Sequence, residues 1–182
     1  MMMSTMMQQM LGKRGVKEWQ WLERADRLKR SNRRIDLLVV HCSATKANRR
    51  YTPGQLVRDH KTRGFTTAGY HYYITTDGVL YGMRSVDRAG AHAKGYNRHS
   101  IGICYEGGLD VKGRPRDTRT PEQRQMLTQL IYRLSALYPD ALVVGHRDLS
   151  PDRNGDGVVS PDEWLKECPC FDARLYNLRC AY

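Results

Sequence analysis

Residues 36–40, Asp-Leu-Leu-Val-Val, form a short and almost unbroken apolar run. A strand that is apolar on both sides must be covered on both sides. That is the condition of a strand inside an α/β sheet, whereas a half-exposed hairpin shows alternation. Ile101–Tyr105 and Ala141–Val144 are two more runs of this kind, the second leading into Gly145-His146. Tyr70–Thr76 and Val79–Met83 flank Asp77-Gly78, a two-residue hairpin signal. Helix starts lie between these segments. Thr52-Pro53-Gly54-Gln55 and Thr120-Pro121-Glu122-Gln123 each offer an N-cap Thr, a Pro at the first helical position and a Gln that closes a capping box. Behind the second, Met126, Leu127, Leu130, Ile131, Leu134 and Leu137 form a one-sided stripe at helical spacing. The pattern predicts an α/β fold: a single domain with a mixed central β-sheet flanked by helices.

The chain of 182 residues is long enough for one sizeable core. Residues 35–182 read as that domain. Residues 1–34 read as an extension, patternless to about residue 14 and then an amphipathic helix from Val16 to Leu28 with apolar residues at Val16, Trp19, Leu22, Ala25 and Leu28. Lys and Arg outnumber Asp and Glu by 30 to 19, a formal charge of +11. Such a surface favours an anionic partner without choosing one, and the basic run from Arg24 to Arg34 reads first as a solvated helix face. Five cysteines, an odd number in a chain of this size, argue against a disulfide framework. The N-terminus lacks the ordering of a signal peptide, and no stretch reaches the roughly 20 apolar residues of a membrane span. The expectation is a protein made in the cytoplasm without a recognisable export signal.

Chemistry concentrates at His41, His146 and Cys168. Both histidines follow apolar strand runs, and active sites of open α/β sheets gather at the C-terminal ends of strands. Two imidazoles and a thiolate are a zinc donor set, with the fourth position open in a catalytic site. Zinc acidifies a water bound there and polarises a carbonyl under attack. A nucleophilic Cys168 paired with a His is the rival that spacing leaves open.

Five motifs carry a resemblance: VVHCSAT (39–45), GYHYYI (69–74), HAKGYNRHSIGIC (92–104), GHRD (145–148) and KECPCFD (166–172). In this order they resemble the type-2 N-acetylmuramoyl-L-alanine amidases, the family of amidase-type phage lysozymes and peptidoglycan recognition proteins. The resemblance implies zinc held by His41, His146 and Cys168, with Tyr70 and Lys166 assisting catalysis. The implied substrate is the amide between the lactyl group of N-acetylmuramic acid and L-Ala in bacterial peptidoglycan. A phenol and an ammonium near the metal suit that reaction, because its tetrahedral intermediate carries an oxyanion. His92 and Asn97, in a Gly-punctuated loop, are candidate substrate contacts. Cys42 and Cys104 read as buried small apolar residues.

The loop from Asp152 to Glu163 also fits D-x-[DN]-x-[DN]-G-x5-E, a calcium-loop pattern with candidate ligands Asp152, Asn154, Asp156, the Val158 carbonyl and Glu163. An entering helix is missing, since Ser150-Pro151 precedes the loop, and an Asx-rich turn is the alternative. Calcium there would pin Lys166 and Cys168, with Glu163 opening a helix through Glu-Trp-Leu-Lys. The expected partner is therefore peptidoglycan rather than nucleic acid, and the expected state a monomer acting on the wall after release or secretion. Two alternatives are a non-catalytic peptidoglycan binder, against which the retained Cys168 speaks, and a polymerase-regulating protein using the basic N-terminal helix.

Overall fold

The computed structural model describes residue 28 and residues 30–179. The helix expected over Val16–Leu28 lies outside the described residues, apart from Leu28, which packs against the core. At the centre of a five-stranded sheet is β1 (Leu37–Cys42), buried along almost its whole length. It pairs in parallel with β5 (Ser100–Tyr105) on one side and β7 (Leu142–Gly145) on the other. Beyond β5 lie β3 (Tyr72–Ile74), parallel to it, and β4 (Leu80–Gly82), antiparallel to β3. The order β4-β3-β5-β1-β7 makes the expected mixed sheet. A separate two-stranded ladder joins β2 (Thr45–Lys46) to β6 (Gly108–Leu109), an element too short to announce itself by pattern.

The two α-helices among the described residues begin as their sequences require. In α1 (Pro53–Thr62) and α2 (Pro121–Leu137) the capping Thr accepts from the Gln backbone N–H, and the Gln side chain accepts from the Thr N–H. Each such cap is worth about 1 kcal/mol. Gln123 also ties α2 to the sheet. Its side chain is fully buried, and its Nε2 donates to the carbonyls of Ile74 and Glu106. The stripe of α2 is core as expected, with Leu127, Leu130, Ile131 and Leu134 all at most 2% exposed. Burial of each side chain contributes roughly 1.5–3 kcal/mol.

The pleat assigns residues to opposite faces. Leu38, Val40 and Cys42 of β1 pack on the α2 side with Ile101, Ile103 and Tyr105. His41 points to the other side, where Leu56 of α1, Tyr73 and Cys104 form a smaller cluster edged by Tyr70. Two local expectations are corrected. β1 runs on through His41 and Cys42, because pairing with β5 continues through His41–Cys104 and Cys42–Tyr105 after β7 has ended at Gly145. The ligand candidate is therefore part of the strand and not of the loop after it. No helix runs through Glu163-Trp-Leu-Lys. A 3₁₀ turn, Pro161–Glu163, stops there, and Trp164 adopts an extended conformation.

Candidate active site

Register brings the metal-ligand candidates together. Val40 lies opposite Gly145, so the following residues, His41 and His146, emerge beside one another with ring centroids 4.6 Å apart. Cys168 arrives from the C-terminal segment, with Sγ 3.9 Å from His41 Nδ1. Its placement is braced from several sides. Cys42 N–H donates to the sulfur at 3.2 Å, Arg147 N–H donates to the Cys168 carbonyl at 2.7 Å, and Tyr105 O–H donates to the Pro169 carbonyl at 2.7 Å.

One ligand atom from each of His41, His146 and Cys168 lies within 4.8 Å of the others. Tetrahedral zinc bonded to two imidazole nitrogens and a thiolate would separate them by roughly 3.3–3.6 Å. The three donors thus fit the ion after a small inward adjustment. Their electrostatics also suit it. Burial pushes His41 well below its usual range, with His92, His146 and Lys166 adding to the effect. Burial, then the Lys166 charge, lowers His146 to about 4. Near neutral pH both rings keep the lone pairs that a metal requires.

His92, expected as a substrate contact, lies against His41. Its Nδ1 lies 3.0 Å from His41 Nε2, on the side of that ring away from Cys168. Where His41 Nδ1 is the ligand atom, its Nε2 is the nitrogen left to carry the proton and donate to His92, whose own Nε2 faces Ser100 Oγ at 3.4 Å. The His92 ring fits because two glycines flank it. A Cβ on Gly90 would come within 2.4 Å of the imidazole, and one on Gly102 within 2.5 Å. Burial first, and then His71, lowers His92 to about 3, so it too is neutral. Such an outer partner fixes the tautomer and orientation of a metal-binding histidine.

Asn97 spends its Oδ1 on the backbone N–H groups of His92 and Ala93, at 2.9 and 3.0 Å. It holds the loop that carries His92. Tyr70, just ahead of β3, has its ring 5.0 Å from that of His41 and its hydroxyl beside the Cys104 thiol. Burial holds the phenol well above its usual range, so it remains a proton donor near neutral pH. Lys166 is exposed, and its charge acts on both His41 and His146.

Calcium finds no support in the acidic loop. Asp152 accepts from the Gly155 and Gly157 amides, Asp156 from Val158 N–H and from Asn154 Nδ2, and Asn154 Oδ1 from Asp156 N–H. Glu163 accepts from the amides of Arg153, Asn154 and Ser160, which hold it below the usual carboxylate range. The pattern of oxygens closes the loop on itself as a chain of Asx turns. Among the described residues the side chains grouped to hold a metal are His41, His146 and Cys168.

Sequence reasoning missed the supports. His60 is buried on α1, accepts from Gly69 N–H at 2.8 Å and packs its ring against Tyr70. Its position four residues after Leu56, on the same helix face, was the available signal. His71 is fully buried, accepting from Gly102 N–H through Nδ1 and lying 3.0 Å from the Arg88 carbonyl through Nε2.

The N-acetylmuramoyl-L-alanine amidase family profile matches residues 31–162. An endolysin of Enterobacteria phage K11 is 38% identical over 137 residues, 75% of this chain and 82% of its own length. The endolysin of Escherichia phage T7 is 37% identical over 141 residues, 78% of this chain and 84% of its own. Among solved structures, the N-acetylmuramoyl-L-alanine amidase LysC from Clostridium intestinale superposes with a TM-score of 0.61 at 26% identity, covering 81% of this chain and 85% of that one. With the fold, the donor cluster and these matches in agreement, the chain belongs to the N-acetylmuramoyl-L-alanine amidase family.

Proposed function

We propose that this protein is a zinc-dependent N-acetylmuramoyl-L-alanine amidase that hydrolyses the lactyl–L-Ala amide of bacterial peptidoglycan. The convergence of His41, His146 and Cys168 beside the Tyr70 ring is the observation that carries this reading. When bound, zinc supplies Lewis acidity to the amide carbonyl and makes water a nucleophile near neutral pH. The chain's own residues supply the rest. His92 and Ser100 orient His41, while the brace on Cys168 from Cys42 N–H limits the freedom of the thiolate. Tyr70 keeps its proton and can donate it to an oxyanion or to the departing amine. Lys166 adds a positive charge at the rim, where negative charge develops. Cys168 acts as a ligand in this scheme rather than as a nucleophile, since two neutral imidazoles and its sulfur face one centre.

Phage endolysins among the relatives suggest release from the cytoplasm before action on the wall. Among the described residues, no helix is long and apolar enough to cross a membrane. Mass spectrometry of purified muropeptides, after incubation with and without a zinc chelator, tests the assignment. Chelator-sensitive release of stem peptides beginning with L-Ala is the expected result. Intact muropeptides after incubation with zinc-loaded protein would refute it.

A further inference from the structure

Two cysteines outside the ligand set meet behind the site. Cys42, next to His41 on β1, and Cys170, two residues after Cys168, have their sulfurs 4.0 Å apart across a sequence separation of 128. Cys42 points to the α2 side of the sheet and is buried, whereas Cys170 is partly exposed. Gly108 makes the slot. A Cβ there would lie 2.4 Å from Cys42 Sγ, and its carbonyl accepts from Cys170 Sγ at 3.3 Å. Cys170 itself has φ of 69°, a left-handed conformation that L side chains rarely adopt, so the turn after Pro169 delivers this sulfur to Cys42 at some cost in backbone strain. Cys104 takes no part, since it sits on the opposite side of the sheet by Tyr70.

We propose that Cys42 and Cys170 are a redox-active dithiol site whose substrate is a small disulfide, and that oxidation ties the segment carrying Cys168 to the strand carrying His41. Closure requires the sulfurs to approach from 4.0 Å to about 2.05 Å. The contact with Cys42 and burial push the Cys170 thiol up, so its thiolate is a minor species. As that thiolate, the more exposed Cys170 attacks one sulfur of glutathione disulfide and releases one glutathione, leaving a mixed disulfide. Cys42 then attacks the Cys170 sulfur, the S–S bond to glutathione breaks, and the second glutathione leaves. The two cysteines lose two electrons and two protons, and glutathione disulfide becomes two glutathiones. The bond pins both ligand-bearing segments. Its formation does not depend on catalysis, although its value to the site rests on the ligand roles proposed for His41 and Cys168. A protein made in a reducing compartment and acting in an oxidising one would acquire this staple only where it acts.

The test is equilibration of the zinc-loaded protein with glutathione disulfide, followed by thiol counting and peptide mapping. Expected are the loss of two thiols, a Cys42–Cys170 linked peptide, slower loss of zinc to a chelator, and a Tm raised by about 5–10 °C. Cys170→Ser should abolish the linked peptide and the Tm rise together. A full complement of free thiols, a link to Cys168 or Cys180 instead, or an unchanged Tm in the linked protein would overturn the proposal. Because none of these readouts uses peptidoglycan, its failure is distinguishable from failure of the amidase assignment.

Discussion

Replacing His92 by Ala separates two roles that a histidine in this loop can play. The structure gives it His41 Nε2 as a partner at 3.0 Å, and His41 is only 1% exposed. Deleting the imidazole leaves a buried N–H with no acceptor, a cost of about 1–3 kcal/mol. Part of that cost appears as freedom of the His41 ring, and loss of an outer partner typically lowers metal affinity about 10–100-fold, or roughly 1.4–2.7 kcal/mol. The two ranges overlap, so the expected result is a 10–100-fold weaker zinc complex, read by competition with a chromophoric chelator. At saturating zinc, KM for muropeptide should change little. His92→Asn, whose Oδ1 can stand where Nδ1 stood, should recover part of the affinity. A variant that keeps zinc affinity within about twofold of the parent but has a much higher KM would refute the reasoning and make His92 a substrate contact.

Tyr70→Phe should lower kcat by about 10²–10³ while leaving zinc affinity and Tm near the parent values, because in the proposed mechanism only the proton donor is removed; an unchanged kcat would exclude a catalytic role. His71, lowered by burial to about 4 from an ordinary value of 6.5, is neutral when folded and protonates more readily when unfolded. Stability should therefore be intact above about pH 6.5 and fall as pH drops towards 4, by about 3 kcal/mol from this residue alone. Urea unfolding across that window should show a shallower slope in His71→Asn, which retains an acceptor for Gly102 N–H. Millimolar calcium should leave Tm unchanged, since the oxygens of the 152–163 loop already bind its own amides. Glu163→Ala should instead open that loop to proteolysis between His146 and Cys168.

Much of this architecture is written locally. The capping boxes at Thr52 and Thr120 and the stripe of α2 each depend on contacts within a few residues, so pattern alone locates them. The apolar runs of β1, β5 and β7 likewise demand cover on both faces whatever their neighbours are. The ligand trio was legible because its motifs recur in a fixed order. The contacts of His92 with His41 and of Asn97 with its own loop were not, since a His and an Asn in a glycine-punctuated loop suit a groove as well as they suit a buried brace.

The sequence by itself determined an α/β domain, the two α-helices among its described residues, its core stripe and three side chains able to bind a metal. The first three follow from periodicity and capping, which act over short stretches of chain, and the metal-binding side chains from the order of the motifs that carry them. Tertiary structure decided the register that sets His41 beside His146, the glycine-lined slot that turns His92 towards His41, and the meeting of Cys42 with Cys170. It also decided that the acidic loop closes on its own amides. These depend on which distant backbone lies alongside and how closely it approaches, and no local propensity encodes that distance.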